Sequence, residues 1–182
     1  MFEDARSKRI VLVAHCVLNQ NAKLDQCAHY PGAMKEAVQL LIDAGVGLVQ
    51  MPCPELLALG LDRQVEKGTN PTVESEDTRI AVRMAEQPAR SLCQKLVDDV
   101  VLQIEEYQKN GFAVAGVVGI NGSPTCGVES TWSDDQEREG PGVYIHALQA
   151  SLAARDIALP MRGIRAYDPE EAVRTLSDLL GH

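Results

Sequence analysis

A chain of 182 residues that is 45% hydrophobic and carries nine excess negative charges fits one soluble domain, residues 1–182, with a sizeable core. The acidic balance argues against nucleic-acid binding, which needs clustered Lys and Arg against phosphates, and no apolar run approaches the roughly 20 residues that span a bilayer. Five cysteines, an odd number in so core-rich a chain, argue against a disulfide framework and leave metal ligation, a reactive thiol or plain burial.

In chain order, Lys8 and Arg9 precede Ile10-Val11-Leu12-Val13-Ala14, an apolar stretch that His15 ends before it reaches the length of a signal-peptide core. It reads as the first strand, and the protein as cytoplasmic. Between Pro31 and Ala44, apolar Ala33, Ala37, Leu40, Leu41 and Ala44 recur at helical spacing, and Gly45 closes the helix. The run Gly47 to Met51 then reads as a second strand and completes a βαβ unit. From Glu74 to Asn110 the pattern is helical. Leu92, Leu96, Val97, Val100, Val101 and Ile104 form its stripe, Pro88 divides it into two helices, and Gly111 ends it. Phe112 to Ile120 is a third strand, and all three strands read as buried on both faces. Ser133 to Gly142 is acidic and polar, hence a loop; a helix follows from about Val143 to Arg155. Met161 to Ala166 reads as a short strand, and Asp168-Pro169-Glu170-Glu171 opens a last helix with an N-cap, an early proline and early acids. Strands alternating with helices predict an α/β fold: a mostly parallel sheet of about four strands, flanked by helices, with right-handed crossovers.

The cysteines fall on this frame unevenly. Cys16 follows strand one, Cys53 lies just beyond strand two, and Cys126 sits in the loop leaving strand three. In a parallel sheet those loops share the carboxyl edge, where open α/β folds bind ligands. Three residues separated by 36 and 72 others are therefore expected at one site. Two of the loops are shaped by Pro and Gly. Pro52-Cys53-Pro54 restrains the backbone on both sides of a thiol, and Gly122-Ser123-Pro124-Thr125-Cys126-Gly127 lets backbone amides approach a bound group. Cys93, beside the helical stripe, reads as core. Cys27, ahead of the first helix, has no such placement and stands either in the site on a loop or outside it.

His15-Cys16-Val17-Leu18-Asn19-Gln20-Asn21, Tyr30-Pro31-Gly32, Gln50-Met51-Pro52-Cys53-Pro54-Glu55 with Gly60 and Arg63, and Gly122-Ser123-Pro124-Thr125-Cys126-Gly127 occur in that order. The set resembles the thiouracil desulfurase family, in its branch of desulfidases with an HCxLNQN-type motif. The resemblance covers nearly the whole chain. It implies an α/β domain in which Cys16, Cys53 and Cys126 ligate a [4Fe–4S] cluster, the fourth iron taking the sulfur of a small thiolated heterocycle that is released as hydrogen sulfide. After Cys16 the better-known desulfurases carry a CLLG start and a CRYDG-like stretch, where this chain has Leu18-Asn19-Gln20-Asn21-Ala22-Lys23-Leu24-Asp25.

Hydrolytic C–S cleavage needs a base, and Glu55, two residues beyond Cys53, is the best-placed carboxylate, with Asp25 and Glu129 behind it. Ser123 is a candidate hydrogen-bond donor to substrate or sulfide, or else a turn former. His15 is a candidate donor to the cluster, Asn19 and Asn21 candidate readers of an amide edge, and Trp132 a candidate stacking surface or oligomer contact. A small thiolated molecule is thus the expected partner, with neither nucleic acid nor membrane, and a homo-oligomer compatible with the pattern. The competing readings are an iron–sulfur redox sensor or sulfide carrier, and a zinc hydrolase with three cysteine ligands and water in the fourth position.

Overall fold

The computed structural model describes residues 2–181. In chain order the elements are β1 (Arg9–Val13), α1 (His15–Leu18), a 3-10 turn (Gln20–Ala22), α2 (Lys35–Asp43), β2 (Gly47–Gln50), α3 (Pro54–Leu59), α4 (Val73–Ala85) and α5 (Gln87–Lys109). They continue with β3 (Ala113–Ile120), β4 (Ser130–Ser133), β5 (Gln136–Glu139), α6 (Val143–Ala153), β6 (Met161–Ile164) and α7 (Pro169–Leu180).

β1 is the hub. Its Val11, Leu12 and Val13 are fully buried, as a continuous apolar run in a doubly covered parallel strand must be. It pairs in parallel with β2 on one side and β3 on the other, and β6 adds in parallel beyond β3, giving the order β2-β1-β3-β6. The chain thus moves one way from β1 to β2 and returns past β1 to β3. Crossovers in opposite directions deliver their helices to opposite faces. Accordingly α2 packs on α7, while α5 packs on α6, α3 and α4. The mixed α/β class with a four-stranded parallel sheet is as the sequence predicts, as are the break between α4 and α5 at Glu86 and the Asp168 cap of α7, whose side chain accepts the Glu171 N–H at 2.9 Å.

Three expectations need correction. β2 is an edge strand whose residues are exposed or half-buried, since among the described residues no strand pairs beyond it. α2 starts at Lys35 rather than Pro31, since residues 31–33 bend and the Gly32 carbonyl is taken by the Gln20 N–H. Ser133 to Gly142 is not a plain loop: β4 and β5 form an antiparallel hairpin turned by Asp134 and Asp135, both at positive φ (49° and 60°). Two central residues of that conformation make the tight turn whose twist suits a hairpin, and Asp tolerates it better than most residues. The hairpin docks on α4, where the Trp132 indole donates to Thr78 at 2.9 Å and Thr78 donates to Asp135 at 2.8 Å.

At the carboxyl end of β3 the packing leaves no room for a side chain on Gly119. A Cβ there meets the Cys126 carbonyl, which accepts the Ile120 N–H at 2.8 Å, and the Val128 side chain. Gly119→Ala is expected to destabilise the chain by about 1–3 kcal/mol through overpacking, measured by urea unfolding at neutral pH.

Candidate functional site

The three cysteines at the carboxyl edge are each held by a different local device. Cys16 lies in α1, the single turn that ends β1. Its carbonyl accepts from Gln20 Nε2 at 2.7 Å, and Gln20 Oε1 accepts the His29 N–H, so this buried amide ties the Cys16 turn to the 27–32 loop. Cys53 is the N-cap of α3, its Sγ accepting the Leu56 N–H at 3.5 Å, and Pro54 fills the first helical position, where no N–H is needed. Cys126 is placed by Ser123, whose Oγ accepts the Thr125 and Cys126 N–H groups at 3.2 and 3.0 Å. Asn121 Oδ1 accepts three further amides, of Val128, Glu129 and Ser130, and staples the rest of that loop.

All three cysteines line one cavity of about 300 Å³. It opens at the end of the sheet where strand order reverses between β1 and β3, the position at which doubly wound sheets bind ligands. Cys27 lines the same cavity, whereas Cys93 is buried in α5 and does not. Burial pushes the thiols up: Cys53 to about 12, with Glu55 adding to the effect, and Cys16 and Cys126 in the same direction. Cys126 also feels Cys53 and Cys16. Among the described residues no group of three His, Cys, Asp or Glu is gathered tightly enough to hold a single ion. One zinc draws its thiolates to about 2.3 Å from one centre, whereas an iron–sulfur cluster distributes its thiolates over separate irons.

Charge enters the site through Arg63, 1% exposed and at positive φ. Its guanidinium donates to the Gly60, Leu61 and Ala22 carbonyls, pairs with Glu55 at 3.3 Å and reaches Cys53 Sγ at 4.0 Å. A buried cation this fully hydrogen-bonded is held beside the thiol whatever the cavity contains. Glu55 lines the cavity with one carboxylate oxygen committed to Arg63, and Ser123 lines it with its hydroxyl proton uncommitted. At the mouth, Glu137 of the hairpin pairs with Arg165, and the Arg165 guanidinium stands 5.7 Å from the Tyr167 ring. Two hydroxyls beside Cys126 are buried without a hydrogen-bond partner among the described residues, those of Thr125 and Tyr144. Burial and the neighbouring Cys126 push the Tyr144 phenol up.

Several candidates from the sequence are not in the cavity. His15 turns to Asn19 at 3.5 Å, and Asn19 accepts from Asn21, so the two asparagines build the turn rather than face a ligand. Asp25 lines a separate cavity of about 220 Å³, and Glu129 accepts the Gly163 N–H at 2.8 Å away from the site. Trp132 does line the wall. Sequence reasoning missed Lys23, Arg165 and, above all, Asp77 of α4, all of which line the cavity. Asp77 had a signal: it lies three and seven residues before the buried Ile80 and Met84, a carboxylate on the inward stripe of a helix.

The fold and the site define a doubly wound α/β protein with a cysteine-lined cavity at its switch point. No protein-family model matches the chain, and no solved structure matches it. It is 34% identical over 123 residues to the uncharacterized protein MJ0003 of Methanocaldococcus jannaschii, covering 68% of this chain and 70% of that one. The chain belongs to the family of that protein. Among the described residues no helix is long and apolar enough to cross a membrane.

Burial, then the charge of Glu55, lifts Asp77 to about 7. Its value in the unfolded chain is about 3.9, so the associated stability is present below about pH 4 and is lost as pH rises through about 7. Asp77→Asn should therefore be more stable than the parent at pH 8, by on the order of 2 kcal/mol once water in the cavity is allowed for. The gap should widen between about pH 4 and 7 and level off above that in urea unfolding of the metal-free chain.

Proposed function

We propose that the protein is a cytoplasmic [4Fe–4S]-dependent desulfidase that converts a small thiocarbonyl heterocycle into its oxo counterpart and releases hydrogen sulfide without net redox change. The observation that carries this reading is the meeting of Cys16, Cys53 and Cys126 in one cavity at the carboxyl ends of neighbouring strands. The donor set suits such a group. Three thiols supply soft ligands, buried Arg63 offsets thiolate charge at Cys53, and the unpartnered Thr125 and Tyr144 hydroxyls beside Cys126 are donors in want of an acceptor such as thiolate or sulfide. When bound, the cluster's open iron supplies a soft Lewis acid for the substrate sulfur.

The chain's own residues do the rest. Glu55, oriented by Arg63 through one oxygen, has the other available to take a proton from the attacking water. Ser123 Oγ, which already accepts two amides, has only its proton left to give, and it donates to the substrate. The cavity walls hold the ring; about 300 Å³ is at the small end of ligand sites.

A second reading, an iron–sulfur sensor or sulfide carrier without an open iron, is favoured by one observation: Cys27 lines the same cavity. Anaerobic reconstitution followed by iron and sulfide analysis separates the two. About four irons per chain are expected. Cys16→Ala, Cys53→Ala and Cys126→Ala should each lose the iron, and Cys93→Ala and Cys27→Ala should keep it. Loss of iron from Cys27→Ala as well would favour the four-ligated sensor; a colourless, zinc-loaded preparation would overturn both. Release of sulfide from a panel of thio-heterocycles completes the test, and its absence from a fully loaded protein defeats the desulfidase reading.

A further inference from the structure

Asp77 stands on the inward stripe of α4, and its side chain lines the cavity that holds the three cysteines. It is half-buried, yet no hydrogen bond reaches it from the described residues. The groups that face it are Glu55 from α3, Lys23 from the segment after the 3-10 turn, and Glu74 and Glu76 of its own helix. Cys27 faces it from the loop before α2. Glu76 is taken up by Arg79 at 2.5 Å. Arg165 and Glu137, across the cavity, are taken up by each other. A carboxyl that is drawn out of solvent, unpartnered and open only to a cavity serves no structural purpose there, because α4 would be more stable with an apolar or amide side chain in its place.

We propose, on the strength of the desulfidase reading, that Asp77 is a catalytic acid, the residue that delivers a proton to the sulfur as the C–S bond breaks. Over the whole reaction a thiocarbonyl and one water become a carbonyl and hydrogen sulfide, so both protons of the water end on sulfur and no electrons are gained or lost. Glu55 takes one proton as the water oxygen bonds to carbon. The C–S electron pair goes to sulfur, which receives the Asp77 proton. The remaining hydroxyl proton passes to the departing hydrosulfide as the new C=O forms, giving hydrogen sulfide, and the proton held by Glu55 returns to Asp77 through water in the cavity. The two carboxyls are suited to opposite tasks by their surroundings. Glu55 faces the buried guanidinium of Arg63, whereas burial and the charge of Glu55 raise Asp77 to about 7, so that near neutrality it carries a proton and can give it up.

The test compares the full-length wild type, Asp77→Asn and Asp77→Glu, each cluster-loaded anaerobically, with 2-thiouracil and 4-thiouracil as probes. Asp77→Asn should retain the wild-type iron and sulfide content and KM, lose about 100-fold in kcat, and lose the decline in kcat that the wild type shows as pH rises through about 7. Asp77→Glu should recover most of kcat. Independently of turnover, carbon-13 NMR of the metal-free chain should show one carboxyl titrating near neutrality in the wild type and none in Asp77→Asn. Wild-type kcat and pH profile in Asp77→Asn, or no carboxyl titrating above the ordinary range, overturns the role of Asp77 and leaves the desulfidase reading standing. A fully loaded wild type that releases no sulfide from either probe overturns both.

Discussion

The pairing of β1 with a neighbour on each side is the constraint on which the rest of the structure depends. Val13 is opposite Gln50 on β2 and Val118 on β3, so the three strands end at nearly the same level. Because the pairing is parallel, every loop that leaves these ends emerges on one edge, and residues far apart in sequence become neighbours. The reversal of strand order at β1 and β3 then opens a gap between the diverging loops. The cavity occupies that gap, and its floor needs no further explanation than the sheet itself.

What shapes the cavity beyond the sheet is polar and largely buried. Gln20, Asn121, Ser123 and Arg63 each use a side chain to satisfy backbone groups of loops that have no regular structure. In a loop that lines a cavity the backbone cannot rely on solvent or on a ladder, so fixed side-chain partners supply what a strand or helix would. Arg63 has two tasks, since it closes the turn after α3 through Gly60 and Leu61 and sets a positive charge beside Cys53 and Glu55. The hairpin adds the remaining wall by docking on α4, pinned at one end by Thr78 and at the other by Arg165.

The two carboxyls of the cavity meet different surroundings, and on the reading proposed above they take opposite roles. Glu55 and Asp77 line the same cavity, yet one pairs with a buried guanidinium, whereas at the other burial and the like charge of Glu55 outweigh the opposing charge of Lys23. Neither could be assigned from its residue type. Placing a raised carboxyl against an acidic neighbour costs the folded state stability, a pattern usual at sites built for reaction rather than for packing.

Much of this was legible in the sequence because it follows from local periodicity. Apolar β-branched runs gave β1 and β3, helical spacing gave α2 and α5, the cap, proline and early acids at Asp168-Pro169-Glu170-Glu171 gave α7, and alternation of strands and helices dictated a parallel sheet. From that topology alone, Cys16, Cys53 and Cys126 were expected on one edge, and they line one cavity. Cys93 was legible as core because it lies beside a helical stripe and free cysteine packs as a small hydrophobe, and it is buried in α5. The hairpin was not, since its strands Ser130–Ser133 and Gln136–Glu139 lack an apolar face and its turn uses Asp-Asp where Asn-Gly is the stronger signal. The sequence by itself determined the class of fold and which strand ends carry thiols, because those depend on contacts between near neighbours. Only the tertiary structure decided that Cys27, Lys23 and Asp77 join the cavity, that His15, Asn19 and Asn21 stay out of it, and that Glu55 has Arg63 for a partner. Those outcomes depend on where loops and helices of unrelated sequence come to rest against one another, and on the burial and charge each side chain meets there.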